Sequence, residues 1–256
     1  MRTNAARIFA SPRSINGITL DIAAMNERYQ TFEPLMQRLQ IPATKTDGRR
    51  YFFENPAYSY GDGVVYASLL DELRPKRVIE VGSGYSSCLL LDLRDELGLT
   101  ETDITFIEPY PELLQNLMGP DEQRVTLIPK PVQEVETAVF EQLEAGDILF
   151  IDSTHVSKID SDVNHHLFRI LPSLKSGVYI HFHDIFYPFE YPREWLVDEN
   201  RSWNENYILR AFLMHNSQYE VVFFNSAFVN LSDMAVLDEC PTFMKNSGGA
   251  IWLRKR

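Results

Sequence analysis

The sequence predicts a doubly wound α/β fold, in which helices cover both faces of a mostly parallel seven-stranded sheet. The prediction rests on a pattern that recurs along the 256 residues, a short apolar or β-branched segment followed by a helical pattern. Because crossovers between parallel strands are right-handed, such a succession folds as a three-layer sandwich. The predicted strands are Arg77–Val81, Asp103–Ile107, Val125–Ile128, Asp147–Ile151, Val178–Phe182, Tyr219–Phe224 and Ala250–Leu253.

Helical patterns lie where crossovers between these strands are needed. Leucines at helical spacing occur in residues 89–97, and the pattern ends at Gly98. A second apolar helical pattern fills residues 163–174, between the fourth and fifth strands. Both patterns connect strands that are predicted to be parallel, so they support the doubly wound arrangement.

The remaining segments are predicted to surround this core. Residues 1–60 contain an amphipathic helix pattern and are too short to bury much surface alone, so they are predicted to form an N-terminal helical cap. Residues 61–256 form the predicted core domain. Two long segments within it, residues 186–207 and 226–248, follow late strands. Because structureless loops of that length in a compact domain usually serve a site, both are predicted to form substrate walls.

Composition and charge exclude several classes of protein. The chain has 24 basic and 36 acidic side chains, a formal net charge of −12, and its basic residues are scattered, which disfavours a nucleic-acid partner. The longest apolar run, Val64–Leu70, is far shorter than the roughly 20 residues of a membrane-spanning helix. The two cysteines lie far apart, and no signal-peptide pattern follows Met1. We expect a soluble, cytoplasmic protein without a membrane partner, and homo-oligomer formation is left open.

The strongest local signal is the sequence V-I-E-V-G-S-G-Y-S-S at residues 78–87, where the first strand ends and a helix begins. Gly82 and Gly84 allow a tight turn and let a ligand approach main-chain N–H groups near the positive end of the helix. In open parallel sheets, ligands bind outside the carboxyl ends of the strands. The segment therefore predicts a nucleotide-type ligand, with a purely structural turn as the alternative.

Three side chains near this segment indicate which nucleotide it is. A dinucleotide motif has a third small Gly or Ala where this chain has Ser87. Glu80 lies two residues before the first glycine, where a negative charge repels a pyrophosphate and suits an ammonium or sulfonium group. Glu108 ends the second strand, where an acid can accept hydrogen bonds from both ribose hydroxyls, with a solvated strand end as the alternative. The two acids favour a cationic nucleoside.

These motifs resemble the class I S-adenosylmethionine-dependent methyltransferases, over about residues 58–256. The matching features are E-x-G-x-G after the first strand, an acid that ends the second strand, and D-I-L-F-I-D as the fourth strand. The resemblance implies a Rossmann-like methyltransferase fold in which the last strand is antiparallel. It also implies that S-adenosylmethionine is the cofactor.

The same resemblance implies which residues contact the cofactor. The loop of residues 82–86 would hold the methionine end, Glu108 the ribose, and Gln133 would lie beside the adenine. The segment Asn55–Ser59 resembles one that covers the cofactor in a bacterial subgroup. The predicted cofactor-binding residues are Tyr58, Ser59, Glu80, Gly82, Ser83, Gly84, Tyr85, Ser86, Glu108, Gln133 and Asp152.

A second group of polar residues ends two neighbouring strands. Asp152 follows the fourth strand, and His183 and Asp184 follow the fifth, so strands about 4.8 Å apart can bring them together. Three such donors suit a catalytic divalent ion, and the arrangement resembles the metal-dependent O-methyltransferases of the catechol type. Those enzymes have an Asp-Asn pair where this chain has His183-Asp184, which favours Mn²⁺, Fe²⁺ or Zn²⁺ over Mg²⁺, or no metal. In the alternative reading, Asp152 faces the cofactor and His183 is only hydrogen-bonded.

Without a metal, a histidine could take the proton of the acceptor hydroxyl, since its pKa lies near neutrality. His155 is the first candidate for this catalytic role, and His183 is the second. Aromatic residues then follow the fifth strand and are predicted to form a wall that stacks on a phenol ring or a sugar face, with a satellite core as the alternative. They are Phe186, Tyr187, Phe189, Tyr191, Trp195 and Trp203.

The predicted function is O-methylation of a small molecule or saccharide by S-adenosylmethionine, assisted by a divalent metal or by a histidine. One alternative is a metal-dependent hydroxylase, because a known hydroxylase of cephalosporin antibiotics resembles this layout. A second is a nicotinamide-dependent oxidoreductase, which Glu80 and Ser87 disfavour. A third is a binding module that has kept the cofactor pocket and lost catalysis.

Overall fold

The computed structural model describes residues 9, 12, 14–119 and 124–256. It contains one seven-stranded sheet in the order β3-β2-β1-β4-β5-β7-β6. The first five strands run parallel, whereas β7 is antiparallel to both β5 and β6. The predicted doubly wound sheet with a reversed last strand is confirmed. The strands are β1 (Arg77–Val81), β2 (Asp103–Ile107), β3 (Thr126–Ile128), β4 (Ile148–Ile151), β5 (Tyr179–His183), β6 (Tyr219–Phe224) and β7 (Ala250–Lys255).

Helices connect and cover the strands on both faces of the sheet. The described α-helices are α1 (Ile22–Tyr29), α2 (Phe32–Leu39), α3 (Tyr60–Leu73), α4 (Tyr85–Glu96), α5 (Glu112–Met118), α6 (Asp162–His165), α7 (Leu171–Ser173), α8 (Arg193–Val197), α9 (Glu205–Leu213), α10 (Asn225–Leu231), α11 (Met234–Leu237) and α12 (Pro241–Met244). A π-helical segment, His166–Ile170, joins α6 to α7, and the connection from β3 to β4 contains the 3-10 turns Val132–Glu134 and Thr137–Gln142.

The apolar run Val64–Leu70 lies in the interior of α3. Nearly every residue of this helix is buried, which explains why apolar side chains occupy all of its faces. Among the described residues, no helix combines the length and the hydropathy that a membrane crossing requires.

The start of β4 differs from the prediction because of one carboxylate. Asp147 was expected to begin the strand, but its side chain accepts hydrogen bonds from the backbone N–H groups of Lys76 and Arg77 at 3.0 and 2.9 Å. It also accepts one from the N–H of Glu144 at 2.9 Å. Asp147 therefore ties the start of β1 to the turn before β4, and the strand begins one residue later.

The N-terminal helices pack against the end of the chain. Tyr29 in α1 is completely buried, and its hydroxyl donates to the carbonyl oxygen of Leu237 at 2.7 Å. Its ring lies 4.6 Å from that of Phe228, and the ring of Phe32 lies 5.3 Å from that of Phe223. These side chains belong to the same hydrophobic core as the sheet.

The two long late segments contain helices, so the expectation of structureless loops is wrong. Residues 186–207 include α8 and the start of α9, and residues 226–248 include most of α10 together with α11 and α12. The physical reason is burial. Phe228, Leu237 and Phe243 are at most 2% exposed, and each helps to anchor a short helix on the core.

Candidate active site

The turn after β1 requires glycine at its first position. Gly82 has a φ of +80°, and a Cβ built there would lie 1.5 Å from the carbonyl oxygen of Asp152. The turn therefore presses directly against the end of β4, where no side chain fits. Gly84 differs, because a Cβ there meets no atom within 4 Å. The loop is open on the side of Gly84, next to the start of α4.

Glu80 lies beneath this loop and is completely buried. Its Oε1 accepts hydrogen bonds from the hydroxyls of Ser86 and Ser87, both at 2.6 Å. Burial raises the pKa of Glu80 to about 8, although the two hydroxyl donors oppose the shift. Ser87 also accepts from the N–H of Gly84 at 3.0 Å. Ser87, which was not predicted as a site residue, thus links the buried acid to the loop.

A cavity of about 470 Å³ lies at the carboxyl ends of the first strands. Four predicted cofactor residues line it: Gly82, Glu108, Gln133 and Asp152. The Glu108 carboxylate accepts from the N–H groups of Ser83 at 3.3 Å and Tyr110 at 2.8 Å. Burial raises the pKa of Glu108, and these two N–H donors oppose that shift.

The opposite wall of this cavity comes from the segment that follows β4. Gln133 donates through Nε2 to the carbonyl oxygen of Asp160 at 2.9 Å and so connects the two walls. Val132 and Val156 add apolar surface to the cavity. Val156 was not predicted from the sequence, because an isolated valine beside a strand end carries no distinctive pattern.

The segment predicted to cover the cofactor lies elsewhere. Tyr58 is buried, with its ring 5.3 Å from the His183 ring and 5.6 Å from the Phe150 ring. The Ser59 hydroxyl donates to the carbonyl oxygen of Phe53 at 3.0 Å. Neither residue lines the 470 Å³ cavity, so their contact with the cofactor stays a prediction. Tyr85 also lies outside that lining, with its ring 6.0 Å from the Phe52 ring.

The ends of β4 and β5 do bring their polar residues together. His155 Nε2 lies 3.4 Å from Asp152 Oδ1 and 3.6 Å from Asp184 Oδ2. His183 Nε2 lies 3.5 Å from Asp184 Oδ1. A residue that the sequence analysis missed completes the group, because Glu205 Oε2 lies 2.8 Å from His155 Nδ1. We call these five residues the acid–histidine cluster.

The expected metal centre of Asp152, His183 and Asp184 stays a prediction. Among the residues that the structure describes, no group of three or more His, Cys, Asp or Glu side chains is arranged to hold an ion. His155 Nε2 adjoins both carboxylates and so pairs with the oxygens that a shared cation would need. The backbone brings the predicted ligands to one edge of the sheet, where the His155 ring adjoins Asp152 and Asp184.

Charge in the cluster follows from burial and pairing. Burial disfavours the imidazolium of His155, but hydrogen bonds to Asp152 and Glu205 outweigh it and hold its pKa well above the usual value. Burial likewise opposes ionisation of Asp152, yet the nearby His183 and His155 lower its pKa. A charged His155 therefore neutralises part of the surrounding negative charge.

The predicted aromatic wall divides into two parts. Tyr187, Phe189 and Tyr191 are at most 5% exposed, and the first two belong to the main hydrophobic core and not to a satellite core. Trp195 and Trp203 are partly exposed, and the Trp203 ring lies 4.4 Å from the His155 ring. The Arg201 guanidinium stacks on both indoles, at 4.0 and 4.7 Å from their rings. Phe186 packs edge-on against Trp195 at 5.1 Å.

The fold and this edge of the sheet define a class of protein. A doubly wound sheet with a reversed last strand, a glycine turn after β1 and an acid after β2 are features of Rossmann-like methyltransferases. Residues 79–185, about two fifths of the chain, match the family model described as a methyltransferase domain. This match supports the prediction of a methyltransferase domain in that part of the chain, and it does not favour the alternative enzyme classes.

Other proteins are similar to this chain to different extents. An uncharacterised protein from Archaeoglobus fulgidus is 32% identical over 100 residues, which are 38% of this chain and 44% of that protein. The chain therefore matches less than half the length of this relative. A DUF574-family protein from Streptomyces avermitilis has a similar fold, with a TM-score of 0.50 and 15% identity over 76% of this chain and 80% of its own. An S-adenosylhomocysteine-bound methyltransferase from Podospora anserina has a TM-score of 0.48 and 17% identity, over 100% of this chain and 94% of its own.

Proposed function

We propose that the protein transfers the methyl group of S-adenosylmethionine to a hydroxyl oxygen of a small molecule or saccharide. One observation carries the proposal. Asp152 lines the nucleoside-sized cavity and also lies 3.4 Å from His155 Nε2, so a proton acceptor adjoins the predicted cofactor site. Proximity of this kind is the main contribution that a protein can make to a methyl transfer.

The cavity supplies groups that suit each part of the cofactor. Glu108 presents carboxylate oxygens for the two ribose hydroxyls, and Gln133 lies on the wall proposed for the adenine. The open side of the Gly82–Ser86 loop leaves room for the methionine end, above the buried acid of Glu80. When bound, the cofactor supplies an electrophilic methyl group on a sulfonium.

In the proposed reaction, the acceptor oxygen forms a bond to the methyl carbon as the carbon–sulfur bond breaks. The hydroxyl proton must then leave the acceptor, and we assign it to Nε2 of His155. The carboxylate partners raise the pKa of His155, so the ring must release a proton before it can accept one from the acceptor. The neutral ring that accepts this proton becomes more populated as the pH rises. His183 is the second candidate, with Nε2 directed at Asp184.

The acceptor would bind against the exposed indoles. Trp195 and Trp203 are partly exposed, and Trp203 contacts the His155 ring, so a planar or ring-shaped acceptor stacked there would place a hydroxyl near Nε2. Aromatic faces of this kind suit both phenols and the apolar faces of sugars. Both classes therefore belong in the first substrate screen.

Calorimetry with S-adenosylmethionine, S-adenosylhomocysteine and NAD tests the cofactor assignment. We expect both sulfur nucleosides to bind and NAD not to bind. Incubation with S-adenosylmethionine and panels of catechols, phenols and sugars, followed by mass spectrometry, then identifies the acceptor by a gain of one methyl group. Absence of binding by both sulfur nucleosides would overturn the proposal.

A further inference from the structure

Glu205 is a buried carboxylate that no sequence motif predicts. It is 1% exposed and begins α9, fifty residues after His155. A carboxylate is retained at such depth only where hydrogen bonds or an opposite charge compensate it. The ion pair that the structure records for Glu205 joins its Oε2 to His155 Nδ1 at 2.8 Å.

The backbone couples the same two residues. The N–H groups of Asn204 and Glu205 donate to the carbonyl oxygen of His155 at 3.0 and 3.1 Å. The Asn204 side chain bonds the backbone of Ser157 in both directions, at 2.6 and 3.2 Å. The start of α9 is therefore docked on the loop after β4 through side-chain and main-chain contacts.

His155 needs this support because of its own conformation. Its φ of +58° lies in the left-handed region, which residues with a Cβ adopt rarely and which the surrounding structure must maintain. The ring is also fixed at both nitrogens, Nδ1 by Glu205 and Nε2 by Asp152 and Asp184. A carboxylate only accepts hydrogen bonds, so both nitrogens carry a hydrogen in the charged ring. Glu205 holds the hydrogen of Nδ1, so in the neutral ring Nε2 is the atom that can accept a proton.

We propose that Glu205 is a positioning residue for methyl transfer, holding the His155 ring so that Nε2 faces the gap between Asp152 and Asp184. The inference rests on the proposed function, because it assigns the orientation of the group that accepts the hydroxyl proton. The same logic explains why a buried carboxylate behind a catalytic histidine affects turnover without contacting the substrate.

The test compares Glu205→Gln, His155→Gln and the double variant in the intact protein. We expect Glu205→Gln to lower kcat by roughly 10–100-fold, with the KM of the acceptor and the Kd of S-adenosylmethionine changed by less than about twofold. In the His155→Gln background, the same change should have no further effect on kcat. Glu194→Gln, an exposed acid of the same insert, is the matched control and should leave kcat unchanged.

A spectroscopic measurement covers the case in which Glu205→Gln does not fold. In ¹⁵N-histidine-labelled wild-type protein, the Nδ1 proton of His155 should be strongly shifted downfield by its carboxylate partner, and His155→Gln should remove that resonance. Absence of such a resonance from the wild-type spectrum overturns the positioning role.

The outcomes separate this inference from the proposed function. A folded Glu205→Gln variant with full kcat, beside a slow His155→Gln variant, overturns the role of Glu205 alone. A His155→Gln variant with full kcat overturns the assignment of the proton acceptor, and the role of Glu205 fails with it. An additive loss in the double variant also contradicts positioning, since the two residues would then act independently.

Discussion

The carboxyl ends of the strands carry two halves of the candidate site, the 470 Å³ cavity and the acid–histidine cluster, and the two are built in different ways. Around the cavity, Gly82 and Glu108 directly follow β1 and β2, and strand pairing alone brings them together. In the acid–histidine cluster, Glu205 comes from the insert after β5, and its position depends on how α9 docks. The proposed recognition of the nucleoside thus depends on local geometry, whereas the proposed proton transfer depends on a distant segment.

The two halves also differ in how they treat charge. Glu108 is only half-buried beside open space, and backbone N–H groups satisfy it. The carboxylates of the acid–histidine cluster face a histidine ring, so part of their charge is compensated within the protein. One half is arranged to receive a ligand, and the other is already internally paired. This contrast predicts that substitutions in the two halves change different kinetic quantities.

The largest expected effect is on the rate of chemistry. His155→Gln should lower kcat by roughly 10²–10⁴-fold, the usual contribution of a positioned acid or base, with little change in the Kd of S-adenosylmethionine. His215→Gln, an exposed histidine, is the control and should retain full activity. Steady-state kinetics and calorimetry measure the two quantities. A large rise in the Kd of S-adenosylmethionine for His155→Gln would contradict the division between cofactor binding by the cavity and proton transfer by the acid–histidine cluster.

The reciprocal change should affect cofactor binding. Glu108→Ala removes the acceptor proposed for both ribose hydroxyls, and the loss of two charge-assisted hydrogen bonds should raise the Kd of S-adenosylmethionine by at least about 100-fold. Calorimetry measures this value, with Glu112→Ala, an exposed acid of α5, as the control. If Glu108→Ala binds as tightly as the parent protein, the ribose lies elsewhere.

A smaller effect concerns stability and tests whether Glu80 belongs to the nucleoside half. Its pKa is raised from 4.5 to about 8 by burial, so the folded protein retains a proton that the unfolded chain releases. Stability should therefore fall as the pH rises from about 4.5 to about 8. Between pH 5 and pH 9, the free energy of unfolding should fall by about 1–3 kcal/mol less in Glu80→Gln than in the parent protein, as measured by urea unfolding.

The companion measurement for Glu80 concerns the cofactor. If the charge of Glu80 attracts the ammonium or sulfonium, Glu80→Gln should also weaken the binding of S-adenosylmethionine. A variant that loses the pH dependence of stability but binds normally would assign Glu80 to the support of the loop alone.

The smallest expected effect distinguishes proton transfer to a histidine from catalysis by a metal ion in the acid–histidine cluster. Because the His155 ring adjoins both Asp152 and Asp184, we expect excess chelator to change kcat by less than about twofold. Activity assays after dialysis against EDTA, with and without added Mn²⁺ or Mg²⁺, provide the measurement. Loss of activity that an added ion restores would show that the cluster rearranges to bind that ion.

How well the positions of site residues could be predicted from the sequence depended on whether those residues lie at strand ends. Gly82, Glu108, Gln133 and Asp152 were predicted and line one cavity, because each lies near the end of a strand in a parallel sheet. Tyr58 was placed by a resemblance of segments, and it packs inside the core instead of lining that cavity. A local sequence pattern identifies the side chains at the end of a strand, and strand pairing then sets their positions. A segment outside the sheet has no strand pairing that sets the positions of its residues.

The sequence by itself determined the order of the strands along the chain, the glycine turn and the acids at the strand ends, because these follow from short-range periodicity and backbone sterics. Only the tertiary structure decided the partner of His155. A contact fifty residues apart depends on where α9 packs, and that is settled by burial of the surrounding side chains. The same packing placed the His155 ring beside Asp152 and Asp184. The residue types at the strand ends do not specify which of their atoms are in contact after the side chains are buried.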